Sequence, residues 1–205
     1  MLAAVILSGG SSSRMGSPKA LLAYQGRPFL EHLLAVTEHP QIGVRRVVLG
    51  AHAEPIAKSI ALAGDEIVIN DQWESGQLSS IQAAIRSLPA KEGLPGETDG
   101  FLLCLIDHPL ISKALVNELI EQFYATPGKI VLPTYQGRRG HPVIFPAALY
   151  QELLEAPADK GARAVVWAHA PAGVLELPTN EEGCVLNLND PETMHRATGR
   201  SDSGF

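Results

Sequence analysis

An α/β fold built on a mostly parallel central sheet is what this sequence predicts, and three observations carry the prediction. Short apolar runs alternate with segments of helical period along the chain. The first run, Leu2 to Leu7, stands at the N-terminus and empties into a loop of glycines and hydroxyls. The segments richest in polar and reactive side chains follow apolar runs, as they must where ligands bind beyond the carboxyl ends of parallel strands.

The elements follow in order. Leu2–Leu7 is apolar throughout and short enough for one strand buried on both faces. A helix at Phe29–Thr37, a strand at Arg46–Leu49 and a helix at Glu54–Ala63 come next. A strand at Glu66–Ile69 leads through a polar segment into a helix at Ser79–Ser87. Lys91 to Asp99, with Gly93, Pro95 and Gly96, reads as a polar connection to a strand at Gly100–Ile106. The rest is read as a helix at Lys113–Tyr124, strands at Lys129–Leu132 and Val143–Phe145, and helices at Ala147–Leu154 and Ala162–Ala168. A last strand, Gly183–Leu186, precedes a short helix starting near Pro191. No internal repeat is evident, so residues 1–197 are expected to form a single domain, with 198–205 as a flexible tail.

Composition bounds the function. At 205 residues and 45% hydrophobic the chain buries one substantial core. No run approaches the ~18 apolar residues of a membrane span, and no secretory leader precedes the first strand, so the expected location is cytoplasmic and away from membranes. Cys104 and Cys184 sit in apolar runs, as buried reduced thiols do. The seven histidines lack zinc spacing. A net charge of −6 without a basic stripe argues against nucleic acid as a partner.

Positive charge is instead concentrated in the first loop, Leu7-Ser8-Gly9-Gly10-Ser11-Ser12-Ser13-Arg14-Met15-Gly16-Ser17-Pro18-Lys19. Glycines let backbone N–H groups approach phosphate oxygens, and Arg14 and Lys19 neutralise charge that the amides cannot. A polyphosphate is the ligand this predicts. It is not a Walker A loop, because Lys19 follows Pro18 and precedes Ala20. Nor do Gly9, Gly10 and Gly16 give the spacing of a dinucleotide fingerprint. A plain surface turn would have no need of the two cations.

Three further segments follow strands. Asp107 leaves the run Phe101–Ile106, with Pro109 behind it to stop strand pairing, and suits Mg²⁺, which takes one or two carboxylates plus substrate phosphates. The alternative is a helix cap, a role Ser112 fills from closer by. Asn70-Asp71-Gln72-Trp73-Glu74-Ser75-Gly76-Gln77-Leu78-Ser79-Ser80 opens a helix, where hydroxyls and unpaired N–H groups suit an anion or a ribose. Simple capping by Ser79 explains that segment equally well. Gly137-Arg138-Arg139-Gly140-His141-Pro142 is a basic turn into a strand, with His141 as a donor at its mouth, although a lone histidine is more often structural.

Leu7-Ser8-Gly9-Gly10, then Ser13-Arg14-Met15-Gly16 and Lys19, resemble the signature loop of the MobA-like nucleotidyltransferases, which include enzymes that attach CMP or GMP to molybdopterin. The resemblance runs from about residue 3 to residue 196. It implies a three-layer α/β/α fold with a Rossmann-like sheet, of the nucleotide-diphospho-sugar transferase (GT-A-like) kind. It places Leu7, Ser8, Gly9, Gly10, Ser13, Arg14, Gly16, Lys19, Gly76 and Ser80 on the nucleotide, and Asn70, Gly140, His141 and Pro142 on the acceptor. Asp107 matches the family's magnesium-binding aspartate. Asn189, in Asn187-Leu188-Asn189-Asp190-Pro191-Glu192, matches the second metal position, where cytidylyl members usually carry Asp. Asp190 stands where Thr is usual, and an Asx turn capping the last helix explains it equally well. Asp159-Lys160-Gly161-Ala162-Arg163 matches a segment seen mainly in cytidylyl members, with Ala158 where Gly is usual.

The implied reaction is attack by an acceptor phosphate on the α-phosphorus of a nucleoside triphosphate, with Mg²⁺, Arg14, Lys19 and Asp107 as its machinery. A phosphomonoester has its second pKa near ~6 and needs no general base, which accounts for the lack of a Ser/His/Asp set. CTP is the favoured donor and molybdopterin the acceptor, with a molybdoenzyme or its chaperone as a further partner. Gly9 looks like the guanylyl members and keeps GTP as an alternative. A sugar-phosphate nucleotidyltransferase and a non-catalytic nucleotide-binding cofactor chaperone are the other readings.

Overall fold

The computed structural model describes residues 1–12, 16–89 and 98–198, so most of the expected Lys91 to Asp99 connection and the tail after 198 lie outside the described residues. In chain order the elements are β1 (Leu2–Ser8), β2 (Ala23–Tyr24), β3 (Arg27–Pro28), α1 (Phe29–Val36), β4 (Ile42–Leu49), α2 (Ala53–Ser59), β5 (Ile67–Ile69), α3 (Gln77–Ser87) and β6 (Gly100–Leu105). They continue with α4 (Lys113–Ala125), β7 (Ile130–Tyr135), β8 (Arg138–Arg139), β9 (Val143–Pro146), α5 (Tyr150–Glu155), α6 (Arg163–His169), β10 (Val174–Pro178) and α7 (Pro191–Thr198).

The main sheet runs β10-β7-β9-β6-β1-β4-β5, with β8 paired to β7. β6, β1, β4 and β5 are mutually parallel, as are β10 and β7, and β9 joins the two blocks by antiparallel pairing on both sides. β1 explains why its sequence has no polar alternation. Leu2 and Ile6 face a layer built by α1, α2 and α4, whereas Ala3, Val5 and Leu7 face a layer built by α3, α5 and α6. A strand buried on both faces needs an apolar residue at every position. The resulting three-layer, mostly parallel sheet is the fold the sequence predicts.

Three differences from the predicted elements have physical causes. β4 begins at Ile42, because its two arginines are accommodated rather than expelled: Arg45 pairs with Glu66 at 2.5 Å and Arg46 donates to the Ser87 carbonyl. Gly183–Leu186 is not a strand. Glu182–Cys184 is a single 3-10 turn, and the edge strand is β10, whose Pro178 is tolerated at a sheet edge. Two hairpins escaped prediction, β2–β3 and β7–β8. Each turns on a Gln-Gly pair with positive φ at both residues, 49° and 78° at Gln25-Gly26 and 50° and 77° at Gln136-Gly137, the geometry of a two-residue type I′ turn.

The stretch after β10 is apolar for another reason. Cys184 and Leu188 are fully buried, and the segment lies across the carboxyl ends of the strands. The Cys184 carbonyl accepts from His141 N–H at 2.8 Å, and Leu188 N–H donates to the Asp107 carbonyl at 2.8 Å. Gly140 makes the crossing possible: a Cβ there would stand 2.5 Å from the Cys184 carbonyl oxygen.

Candidate functional site

A cavity of about 730 Å³ opens at the carboxyl ends of β1 and β6, where the topology leads chain segments away in opposite directions. Leu7, Ser8, Gly9 and Gly10 form one wall, with Ser11, Ser12 and Lys19 beyond them. The loop is held from outside. Ser12 Oγ accepts from Lys19 N–H at 3.1 Å, and His52 Nε2 lies 2.7 Å from the Ser11 carbonyl. Gly50 supports the loop from below, since a Cβ there would meet the Gly9 carbonyl oxygen at 2.4 Å and Trp73 Cβ at 2.6 Å. Sequence reasoning passed over Gly50, and an isolated glycine ending a strand was the one signal for it. Ser13 and Arg14 lie outside the described residues. Gly16 is described, with φ +68°, but does not line the cavity.

The second wall is the start of α3. Gly76, Gln77 and Ser80 line it together with Trp73, and the positive end of the helix faces the cavity. Ser79 is not the cap, because its hydroxyl donates to the Gln72 and Gly76 carbonyls. Asn70, expected on the acceptor, is turned inward instead. Its buried Nδ2 donates to Ser79 Oγ at 2.9 Å and Ser80 Oγ at 3.0 Å, and its Oδ1 accepts from Gln72 N–H. Asn70 therefore holds Ser80 from behind and does not itself line the cavity.

Asp107 forms the floor, its side chain about one-fifth exposed. It is not a helix cap, because Ser112 Oγ accepts from Leu115 N–H and caps α4. His108 Nε2 lies 3.9 Å from Asp107 Oδ1, and burial holds that imidazole below its ordinary range despite the pull of Asp107. Asn189 does not line the cavity, which the crossing segment meets through Cys184, Val185 and Asn187, but its Oδ1 accepts from Lys19 Nζ at 2.5 Å. Asp190 is spent on α7, where Oδ1 accepts from Thr193 N–H at 2.8 Å and Oδ2 from Thr193 Oγ1 at 3.0 Å.

The third wall is the basic turn. Arg138, Arg139, Gly140 and His141 line the cavity, whereas Pro142 is buried behind them. Arg139 is paired with Glu176 at 2.6 Å. His141 packs at 5.2 Å from the His108 ring, and burial together with that neighbour pushes its imidazole down to about 3. Its Nδ1 is buried without a hydrogen-bond partner among the described residues.

The arrangement is a cleft with cations and glycine amides on one side, a carboxylate on its floor and a hydroxyl-bearing helix start opposite. Among the described residues of the cleft, no hydroxyl or thiol is hydrogen-bonded to a histidine or carboxylate side chain. Its chemical capacity is to hold an anionic chain, neutralise charge along it and fix a second reactant beside it.

Comparison with known proteins gives the family and the fold. The MobA-like NTP transferase domain matches residues 4–172. A molybdenum cofactor guanylyltransferase of Rhizobium meliloti is 31% identical over 95% of this chain and 89% of its own length. A nicotine blue oxidoreductase of Paenarthrobacter nicotinovorans is 30% identical over 94% of both chains. Among solved structures, a Mycobacterium tuberculosis protein superposes with a TM-score of 0.80 at 26% identity, covering 98% of this chain and all of the other. A molybdopterin-guanine dinucleotide biosynthesis protein of Archaeoglobus fulgidus shares the fold with a TM-score of 0.67 at 17% identity, covering 97% of each chain. No helix among the described residues is long and apolar enough to cross a membrane. This chain belongs to the MobA-like NTP transferase domain family.

Proposed function

We propose that the protein is a nucleotidyltransferase that moves a nucleoside monophosphate from a triphosphate to the phosphate of molybdopterin, releasing pyrophosphate. The observation that carries the proposal is that Lys19 and Asp107 line one cavity at the carboxyl ends of β1 and β6, between a glycine loop and a helix start, with Asn189 Oδ1 holding Lys19 Nζ. In the reaction an acceptor phosphate oxygen attacks the α-phosphorus, the new P–O bond forms, and the bond to the β-phosphate oxygen breaks. The attacking group is already ionised near neutral pH, so the protein has only to align and neutralise. Lys19 is assigned to the α-phosphate and the leaving group, Arg14 to the β- and γ-phosphates, and Ser80 and Gly76 to the nucleoside. Gly140 and His141 are assigned to the acceptor side.

The donor set at Asp107 suits a hard divalent cation: one carboxylate on the cavity floor, and an amide oxygen on the segment that Leu188 ties to Asp107. Asp107 and Asn189 would hold Mg²⁺, which when bound neutralises charge on the phosphate oxygens. Asn189 also holds Lys19, so one amide orients the cation of the phosphate loop from the far side of the cleft.

Two bases compete, each with its own support. CTP is favoured by the Gly140-His141-Pro142 and Gly161-Ala162-Arg163 segments, which resemble cytidylyl members. GTP is favoured by Gly9, which resembles the guanylyl members and where a Cβ would crowd Ser80 Oγ at 3.1 Å. The guanylyltransferase names among the relatives lean the same way. Pyrophosphate release with molybdopterin and each triphosphate, with and without Mg²⁺, tests the whole reading. Release with GTP alone would overturn CTP, and triphosphate binding with no release from any donor would overturn transferase activity.

A further inference from the structure

The glycine loop is gripped on its outer side by the turn that joins β4 to α2. Ala51 N–H donates to the Gly9 carbonyl at 3.2 Å, and His52 Nε2 lies 2.7 Å from the Ser11 carbonyl. Against a carbonyl oxygen a ring nitrogen can only donate, so Nε2 carries a proton. Gly50 lets the turn come this close, because its missing Cβ spares the Gly9 carbonyl oxygen. The two bonds hold two separate peptide planes, Gly9-Gly10 and Ser11-Ser12.

In a trans peptide the C=O and the following N–H point in opposite directions. Both planes are trans, since the cis bonds among the described residues are His141-Pro142 and Ala170-Pro171. Drawing the Gly9 and Ser11 carbonyls toward the turn therefore directs the Gly10 and Ser12 N–H groups away from it. Gly9, Gly10, Ser11 and Ser12 line the cavity, so that direction is the cleft. Neither N–H meets a backbone acceptor among the described residues.

Ser12 gives a second, independent sign. Its φ is +50°, a region that L side chains rarely adopt, and a residue stays there only where its surroundings fix it. Two ties do so here: the His52 bond to the carbonyl before it, and its own Oγ, which accepts from Lys19 N–H at 3.1 Å. His52 does not line the cavity, and it stands in none of the segments that carry the family resemblance. We propose that His52 is a positioning residue for triphosphate binding, which by donating to the Ser11 carbonyl keeps the loop's N–H groups aimed at phosphate oxygens. This rests on the transferase reading only in taking the loop as the seat of the triphosphate.

Inorganic tripolyphosphate carries the phosphate oxygens without base or ribose, and titration calorimetry in the absence of metal follows its binding directly. His52→Leu and His52→Ala remove the donor, whereas His52→Gln places an amide N–H at similar reach. Affinity is expected to fall about fivefold in both donor-free variants, the net worth of one hydrogen bond, and to stay within about twofold of wild type in His52→Gln. In the transfer assay His52→Leu is expected to raise the triphosphate KM about fivefold and leave the acceptor KM unchanged.

Wild-type affinity in the donor-free variants overturns the role of His52. So does a His52→Gln protein as weak as His52→Leu, or an acceptor KM that rises with the triphosphate KM. A wild-type protein that does not bind tripolyphosphate removes the loop as a phosphate seat, and the role of His52 with it. Tripolyphosphate binding that follows the His52 donor, with no pyrophosphate released from any triphosphate, upholds the positioning role and overturns the transferase reading instead.

Discussion

Replacing Gly140 with alanine tests how the site is assembled. A Cβ there would stand 2.5 Å from the Cys184 carbonyl oxygen and 2.9 Å from the Cys184 carbonyl carbon and Sγ. Two of these three atoms are backbone, so no rotamer change relieves the clash, and the crossing segment must move. Moving it breaks the His141 N–H bond to the Cys184 carbonyl, now 2.8 Å. A lost backbone hydrogen bond costs about 1 kcal/mol and overpacking a dense site about 1–3 kcal/mol, so the variant should lose about 2–4 kcal/mol. At about 2–4 °C per kcal/mol for a chain of this size, Tm should fall by about 4–16 °C. Thermal unfolding by circular dichroism measures this, with Gly64→Ala as the control, because a Cβ at Gly64 meets nothing within 4 Å. Turnover should fall further than stability accounts for, since the same segment carries Asn189. A Gly140→Ala protein that melts within about 1 °C of wild type at full turnover would refute the argument that the crossing segment is clamped through Gly140.

Other substitutions probe the remaining walls. Lys19→Ala removes the cation held by Asn189 and should lower kcat about 10²-fold with little change in Tm, measured by pyrophosphate release. Asp107→Asn should abolish metal-stimulated turnover while His108 and the strand above it stay in place; unchanged turnover would remove Asp107 from the site. Gly9→Ala pushes on Ser80 Oγ, itself held by Asn70, and should lower the GTP-to-CTP ratio of kcat/KM about tenfold. The histidine of the basic turn predicts a pH dependence of stability. Because His141 is pushed down to about 3 in the fold, its contribution is complete above the unfolded value near ~6.5 and is lost as pH falls toward 3. Urea midpoints at pH 7, 5 and 4 should therefore decline less steeply in His141→Asn, with buried His108 keeping part of the slope.

Much of this was legible in the sequence because it is written locally. β1 shows itself as an unbroken apolar run, since helices cover both its faces. Asp107 and the glycine loop show themselves because each follows such a run directly. The failures are equally physical. Cys184-Val185-Leu186 has the composition of a strand because it is buried, but it is buried lengthwise across strand ends and pairs through single hydrogen bonds. Asn70 has the chemistry of a ligand contact, and only the structure shows that it lies buried behind the cavity wall with its Nδ2 on Ser79 and Ser80. Periodicity reports that a segment is buried; it does not report which surface buries it.

That distinction explains why the C-terminal segment matters more than its length suggests. Its hydrogen bonds reach three separate parts of the site: the basic turn through Cys184, the end of the floor strand through Leu188 and Asp107, and the glycine loop through Asn189 and Lys19. Glu181 anchors its near end by accepting from Ser112 N–H and Oγ at the start of α4, and Asp190 fixes its far end by capping α7. A segment tied at both ends and at three points between them cannot follow one wall of the cleft without pulling on the others. Loosening it anywhere, whether at Gly140, Glu181 or Asp190, should therefore lower triphosphate affinity and acceptor affinity together, whereas a change confined to one wall, such as Gly9→Ala, should lower only one. Measuring both KM values for Glu181→Gln separates the two cases: a drop in acceptor affinity alone would mean that the three ties act independently and that the cleft is not closed as a unit.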